Sequence, residues 1–288
     1  RYFRAVHPDR PLGLWVRHTH HVLADGSIRG ARWLTLFEPA GVTARKVSFD
    51  GRPEADGRRF TGEALDSRWD VGVTPLTPTF RHLPKAWMYR TALPRTKPVS
   101  VHPLAVFNGE LVCGNRTIAV DGWRGMVGNN WGSEHAHRWI WLHVAGFDCA
   151  PDAWLDLTLA RVKIGPLVTG WIPNGALELA GRRHRLGGLL SKADVDEQVG
   201  RARFVMRGHG VEVEVAVQAP GKEAIVLWQY GDPAGRKHDV AHCSIARATV
   251  TVRQTSGEQI LTAGHSGAYE LGMSEAPAGY TVQPYPDP

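Results

Sequence analysis

The alternation of short apolar runs with turn residues is the feature that most constrains the fold of this chain. Runs rich in Val, Ala, Leu and aromatic residues recur along the sequence, and Gly, Asn or Asp separates most of them. Such spacing predicts antiparallel strands joined by tight turns. Only Ser191 to Gln198, with Ser191 as cap, is predicted as a short helix. The pattern therefore predicts an all-β fold, a sandwich or a barrel.

Two segments carry the clearest hairpin signals. Residues 14–37 form two apolar runs around Ala24-Asp25-Gly26-Ser27, and residues 101–113 form two around Asn108-Gly109. Asn-Gly between apolar runs is typical of a two-residue hairpin turn. Farther along the chain, Gly165-Pro166 interrupts a strand pattern, which predicts a domain boundary there. We therefore expect one domain over residues 1–165 and a second over residues 166–288.

Composition narrows the class of protein. Apolar residues make up 43% of the 288 residues and charged residues 22%, which is typical of a soluble globular protein. No apolar run is long enough to span a membrane, and no signal peptide is recognisable, so we expect no stable membrane insertion. Cys113, Cys149 and Cys243 are an odd number at wide spacing, which favours reduced thiols and a cytoplasmic location. The net charge of +6 comes with no nucleic-acid-binding motif, so we expect no nucleic-acid partner.

The segment Gly125–His143 is unusually rich in aromatic and polar side chains. From Arg138 the alternation of residues predicts a strand, with Trp139, Trp141 and His143 on one face. Ile140, Leu142 and Val144 fall on the other face, so both faces are apolar or aromatic. Such a strand is expected to be buried on both sides.

Glu134, His135 and His137 are the candidate catalytic residues. A carboxylic acid shielded by tryptophans has a raised pKa and can donate a proton near neutral pH. The alternative for Glu134 is a loop carboxylate paired with Arg138. His135 and His137 could bind a metal together with a third ligand such as His143, but His-x-His is too common a pattern to indicate one. We therefore expect no metal.

The candidate substrate-binding residues line the same segment or the next strand. A wall of tryptophans suits an apolar ligand, while ordinary core packing is the alternative for each of them. The expected contacts are Asn130, Trp131, Trp139, Trp141, His143 and Asp156. The sequence contains no phosphate-binding glycine loop, nucleophile elbow or dinucleotide fingerprint, so we also expect no organic cofactor.

The chain resembles the tocopherol cyclase and carotenoid 1,2-hydratase (hydroxyneurosporene synthase) group. The resemblance rests on Asn130-Trp131-Gly132 followed by Trp139-x-Trp141-x-His143, where tocopherol cyclases have Asn-Trp-Gly and then Trp-x-Trp-x-Gln. Fainter similarity continues to Ala268-Tyr269-Glu270-Leu271-Gly272. Gly128-Asn129 stands where the cyclases carry Glu-Lys, so the resemblance does not imply a plain tocopherol cyclase.

This resemblance implies two lipocalin-like domains packed side by side, with the segment 125–143 at their junction. It also implies a cofactor-independent cyclase, hydratase or isomerase that acts on a double bond of an apolar terpenoid or polyketide. A non-catalytic carrier of an apolar molecule is the alternative, because one fold serves many functions. The oligomeric state is left open.

Overall fold

The computed structural model describes residues 1–23, 25–54, 56–188, 190–233 and 235–283. Strands hold 69% of the described residues. Within the described ranges the helical segments are two short 3-10 helices, Ala86–Tyr89 and Lys222–Ala224. None of these segments has the length and apolar character needed to cross a membrane. The all-β prediction is confirmed.

The first barrel is formed by the N-terminal part of the chain. Its strands are β1 (Tyr2–Val6), β2 (Gly13–Val22), β3 (Ile28–Glu38), β4 (Gly41–Asp50), β5 (Arg59–Ala64), β6 (Ser67–Pro75), β7 (Phe80–Arg81), β8 (Thr96–Cys113) and β9 (Arg116–Gly132). They pair antiparallel in the order β4-β3-β2-β1-β9-β8-β6-β5, and β7 pairs with β8. The predicted hairpin over residues 14–37 is confirmed as β2 and β3. Ala24 of its turn lies outside the described residues.

The second barrel is formed by the rest of the chain. Its strands are β10 (Arg138–Phe147), β11 (Ala150–Arg161), β12 (Lys163–Ile164), β13 (Leu167–Val168), β14 (Ile172–Leu179), β15 (Arg182–Gly187), β16 (Val195–Gln198), β17 (Arg201–Gly208), β18 (Val211–Gln218), β19 (Val226–Gly231), β20 (Lys237–Gln254) and β21 (Gly257–Met273). The order is β15-β14-β11-β10-β21-β20-β18-β17-β16, with β19 on β20 and β12–β13 as a separate hairpin. Leu186 pairs with Gly208, which joins β15 to β17 and closes the ring. The two barrels form a two-domain lipocalin-like fold.

One face of β10 lies in the core of the second barrel, and the other face packs against the first barrel. Ile140 and Leu142 lie in the core of the second barrel. Trp141 and His143 point the opposite way and contact Tyr2 and Arg4 of β1. Ile140 to Phe147 are all buried, so the expectation of a strand buried on both faces is confirmed.

The outer faces of the two barrels pack against each other through aromatic side chains. Trp33 of β3 meets Trp228 of β19 edge to face, with ring centroids 5.0 Å apart. The indole nitrogen of Trp228 donates a hydrogen bond of 3.1 Å to the hydroxyl of Thr35. Phe37 stacks on His242 of β20 at 5.3 Å. One hydrophobic core therefore extends across the junction between the barrels.

The hairpin predicted at Asn108-Gly109 is wrong. β8 runs through this dipeptide without reversing and pairs with β6 on one side and β9 on the other. Gly109 has a φ of +150°, and the β8–β9 register shifts between Phe107 and Gly109, so the dipeptide forms a bulge. A Cβ at Gly109 would lie 2.0 Å from the carbonyl oxygen of Asp70. Close backbone approach, rather than a turn, explains this glycine.

The structure differs from the sequence-based expectation in two further segments. The helix predicted over Ser191 to Gln198 is wrong, because Val195–Gln198 forms β16 and pairs with β17. Pairing with a neighbouring strand overrides the weak local preference for helix. The sheets divide the chain between Gly132 and Arg138, whereas the sequence indicated a boundary at Gly165-Pro166. That dipeptide lies between β12 and β13, where a turn within a domain has the same local signal as a linker.

Candidate active site between the barrels

A row of paired residues crosses the outer face of the first barrel and faces the second. Arg17 pairs with Tyr2, Tyr2 pairs with Gly128, and Gly128 pairs with Ser100. Directly opposed residues on antiparallel strands share a face of the sheet. The row therefore places a guanidinium, a phenol and a serine hydroxyl side by side at the junction.

Glu270 of β21 is a buried carboxylate that the second barrel places at this junction. Its Oε1 accepts a hydrogen bond of 2.8 Å from the indole nitrogen of Trp139. Its Oε2 accepts bonds of 3.2 Å from the Tyr230 hydroxyl and from Nδ1 of His242. Burial alone raises the pKa of Glu270, but the bonds from His242 and Trp139 and the charge of Arg17 lower it more. The net pKa lies below the ordinary value, so Glu270 is an ionised base.

Tyr2 lies between the carboxylates of the junction. Its ring meets the edge of Trp141 at 5.6 Å and lies against the backbone of Gly128. Burial raises the pKa of Tyr2 well above 10, and the charges of Asp156 and Glu270 raise it further. The phenol therefore stays protonated and can donate a hydrogen bond.

Arg17 completes this part of the site. Its guanidinium lies 4.0 Å from the ring centroid of Tyr230 and 5.2 Å from that of Trp33. Its Nη1 is buried and has no hydrogen-bond partner among the described residues. A buried donor without a partner is costly, so this nitrogen is suited to an oxygen of a bound molecule.

Asp156 is the centre of a second buried network. Its carboxylate accepts hydrogen bonds from the Ser100 hydroxyl and, at 3.1 Å, from the indole nitrogen of Trp141. Nε2 of His82 lies 3.3 Å from Oδ2 of Asp156 and 3.0 Å from Oγ of Ser100. Burial raises the pKa of Asp156, but His82, His143 and Ser100 bring it below its usual value. Asp156 is wholly buried and holds the strands of both barrels together.

His143 has a structural role at the junction. Its Nε2 donates a hydrogen bond of 2.8 Å to the carbonyl of Pro103, and its Nδ1 accepts one of 3.0 Å from Arg4. Arg4 also donates to the carbonyl oxygens of Ser266 and Ser244. Desolvation and the charge of Arg4 lower the pKa of His143 to about 4. The imidazole is therefore neutral and fixed in one tautomer, so it bridges the barrels rather than moving a proton.

The structure places Glu134 outside this site. Its carboxylate forms ion pairs with Arg95 and, at 2.5 Å, with Arg236. Arg138, the partner considered from the sequence, pairs with Glu197 at 2.7 Å. Glu134 is therefore a partly buried carboxylate held by two guanidinium groups rather than by the tryptophans that an acid role assumes. His137 is also outside the junction, and its carbonyl accepts a bond from Ser274.

The tryptophans of the segment do not form a single wall. Trp131 is 42% exposed and packs on Tyr89, and Asn130 is exposed beside it. Trp139 is partly buried next to Glu270, and Trp141 is 7% exposed beside Tyr2 and Asp156. Only Trp139 and Trp141 of the predicted trio therefore belong to the junction.

His135 lies in a different cluster, together with Asp232 and His238. Its Nδ1 donates to Oδ1 of Asp232 at 2.5 Å, and Nε2 of His238 donates to Oδ2 of Asp232 at 3.1 Å. The ring of Trp139 stacks on His135 with centroids 5.3 Å apart. Burial raises the pKa of Asp232, but the two imidazoles bring it far below its usual range.

Arg17, Tyr2 and Glu270 were not predicted from the sequence as members of one site. Glu270 did carry a signal, because it is the one charged residue in the buried end of β21, residues 267–273. Arg17 and Tyr2 carried no such signal in the sequence. They become neighbours only through the pairing of β1 with β2, and they reach Glu270 only through the packing of the barrels.

Comparison with known proteins identifies relatives without a described activity. No family model matches the chain. An alignment over 150 residues, which covers 47% of this chain, shows 29% identity to two uncharacterized proteins of Mycobacterium tuberculosis, MT0513 of strain CDC 1551 / Oshkosh and Rv0493c of strain H37Rv. The match covers 45% of their length, so the chain spans about half the length of the curated relatives it matches.

Among solved structures, the AttH-like protein NE1406 of Nitrosomonas europaea aligns with a TM-score of 0.56 at 14% identity. The alignment covers 96% of this chain and 92% of that one, which shows a shared fold. Kievitone hydratase of Nectria haematococca aligns with a TM-score of 0.49 at 10% identity, over 95% of this chain and 88% of its own. Membership in the tocopherol cyclase and carotenoid hydratase group stays a prediction.

Proposed function

We propose that the junction between the barrels is the active site of a hydratase or isomerase. Its substrate is an apolar terpenoid or polyketide in which a carbon–carbon double bond is conjugated to a carbonyl group. One observation carries the proposal: a buried, ionised Glu270 lies beside a protonated Tyr2 and an unpartnered donor of Arg17. A base and two oxygen-directed donors are what proton transfer next to a carbonyl requires.

The roles follow from the charges of the three groups. Tyr2 and Arg17 donate hydrogen bonds to the carbonyl oxygen, where negative charge accumulates as the reaction proceeds. Glu270 takes a proton from water, and the resulting hydroxide adds to the β carbon. Glu270 then returns that proton to the α carbon, so the elements of water are added across the double bond. In an isomerisation Glu270 moves a proton from one carbon of the substrate to another by the same means.

The ionisation of Glu270 favours this route over protonation of an isolated alkene. Making a carbocation requires a strong, neutral acid. Glu270 and Asp156 both have pKa values below their ordinary range, so neither carries that proton near neutral pH. Trp139 and Trp141 supply apolar surface beside the polar groups, which suits a largely hydrocarbon substrate. Neither reaction changes the oxidation state overall, so no redox cofactor enters the proposed chemistry.

The test measures solvent isotope incorporation with a panel of conjugated terpenoid and polyketide carbonyl compounds. The wild-type protein is expected to incorporate deuterium from heavy water, and a hydratase also incorporates oxygen-18 from labelled water. Glu270→Gln and Tyr2→Phe should each lower the rate by roughly a hundredfold, because they remove the base and one donor to the oxygen. Glu110→Gln changes an exposed carboxylate of the first barrel and serves as the control.

Tryptophan fluorescence measures binding in the same samples. Binding that stays within a few-fold of wild type in Glu270→Gln, with lost isotope incorporation, supports a catalytic base. Binding without isotope incorporation by the wild-type protein would identify a carrier instead. Unchanged turnover in Glu270→Gln would refute the role assigned to this carboxylate.

A further inference from the structure

His135, Asp232 and His238 form a compact group of metal-ligating side chains next to the junction. One ligand atom from each, the two imidazole nitrogens and a carboxylate oxygen, all lie within 4.8 Å of one another. Asp232 and His238 are buried, and the His135 side chain is 28% exposed. The group is thus enclosed on one side and reachable from solvent on the other.

Three separate backbone features hold the ligands in place. Asp232 follows β19 directly, and His238 lies near the start of β20, so a short hairpin links them. The hairpin is closed by a bond of 2.7 Å from the Asp232 amide to the carbonyl of Arg236. His135 comes from the connection between β9 and β10, and its amide donates to Asp232 at 2.9 Å. Ligands fixed this way need little rearrangement to bind an ion.

The ring of Trp139 forms a wall of the group. It stacks on His135 and meets His238 edge to face at 5.4 Å. This packing fixes the planes of both imidazoles. The His135 side chain is 28% exposed, so solvent reaches the edge of the group.

We propose that His135, Asp232 and His238 bind one divalent transition-metal ion of the zinc type, with an open fourth position. Two imidazoles and one carboxylate are a common three-ligand set for zinc sites that keep a water molecule. The ligand atoms are His135 Nδ1, His238 Nε2 and one carboxylate oxygen of Asp232. The sequence indicated no metal, because it offered the common pattern of His135 and His137 with His143 as the third ligand. His238 and Asp232 are brought to His135 by the fold. The proposal is independent of the proposed function.

Cobalt(II) and zinc(II) are the probes. Chelator-treated protein is titrated with cobalt(II), and the visible absorption of the ion reports its coordination. We expect one ion per chain, displaced by an equivalent of zinc(II). His135→Gln, Asp232→Asn and His238→Gln should each weaken zinc binding by about a hundredfold or more, since loss even of outer-shell partners costs up to about that much. His137→Gln, an imidazole two residues from His135, is the matched control and should bind as wild type.

A second measurement separates loss of ligands from loss of fold. Zinc(II) should raise the melting temperature of the wild-type protein and of His137→Gln, because an ion that binds only the folded state stabilises it. His135→Gln changes a partly exposed side chain and should keep the wild-type circular dichroism spectrum while losing the zinc-dependent shift. If wild type binds no cobalt(II) or zinc(II) at 100-fold excess, or the three variants bind as wild type does, Asp232 is only a hydrogen-bonded bridge between two imidazoles and the proposal fails.

Discussion

Gly128 determines how closely Tyr2 approaches the first sheet. A Cβ at Gly128 would lie 2.2 Å from Cζ of the Tyr2 ring. Because the other side of that ring meets Trp141, it cannot move away freely. We expect Gly128→Ala to lower the free energy of unfolding by roughly 1–3 kcal/mol, the usual cost of overpacking, and to displace the proposed hydrogen-bond donor Tyr2.

Urea denaturation measures the change in stability. Gly41→Ala is the control, because a Cβ at Gly41 meets nothing within 4 Å. Equal midpoints for the two variants would show that Tyr2 does not need the space above Gly128.

The two acidic residues Glu134 and Glu270 show what could be predicted for single residues. Glu134 was predicted to be a catalytic acid because tryptophans and histidines surround it in sequence. In the structure it forms ion pairs with Arg95 and Arg236, which belong to distant segments of the chain. Glu270 gained its partners in the same way, from β10, β19 and β20. Residue type and neighbours along the chain indicated aromatic strands with polar groups among them. The partner of each carboxylate depends on the packing of the barrels, which the local pattern does not contain.

At the scale of an element, β10 should contribute more to stability than strands exposed on one face. Leu142 is fully buried in the second barrel. We expect Leu142→Ala to lower the free energy of unfolding by about 2–5 kcal/mol, the range for a buried leucine whose cavity cannot collapse. Leu167→Ala removes the same atoms from β13, where the side chain is 73% exposed, and should change stability little. Chemical denaturation compares the two, and similar losses would contradict the assignment of β10 to the core.

Strand periodicity predicted β2, β3 and β10 because each shows a regular alternation over many residues. It failed at Asn108-Gly109, where the same dipeptide can close a turn or form a bulge. The choice depends on β6 and β9, which pair with both sides of β8 and leave no room for a reversal. Local sequence thus predicted where the backbone departs from regular geometry, while neighbouring strands decide the direction of the chain.

At the scale of the whole molecule, stability should depend on pH through His143, which joins the barrels. Its pKa is about 4 in the folded protein and about 6.5 in an unfolded chain. The unfolded state therefore binds more protons as the pH falls below 6.5, and stability is lost down to about pH 4. The titration of His143 alone contributes roughly 3 kcal/mol to the free energy of unfolding at pH 7, because each unit of pKa difference corresponds to about 1.36 kcal/mol. Urea denaturation between pH 7 and pH 4.5 measures the slope.

His143→Gln keeps a donor and an acceptor but does not titrate near neutral pH. Its stability should be lower at pH 7 and should vary less between pH 7 and pH 4.5. His209→Gln, a substitution in the turn between β17 and β18, should retain the wild-type slope. If the slope of His143→Gln equals that of wild type, the pH dependence arises from other groups.

Each barrel pairs its first strand with its last: β1 with β9, and β10 with β21. More than a hundred residues separate the end of β1 at Val6 from the start of β9 at Arg116. During synthesis, β1 therefore lacks its second neighbour until β9 has left the ribosome. β10 waits in the same way until β21 has emerged. Contacts so distant along the chain slow folding, because a large loop must close before they form. The nascent chain thus carries an open sheet edge twice, and at both stages this unpaired edge is exposed to aggregation.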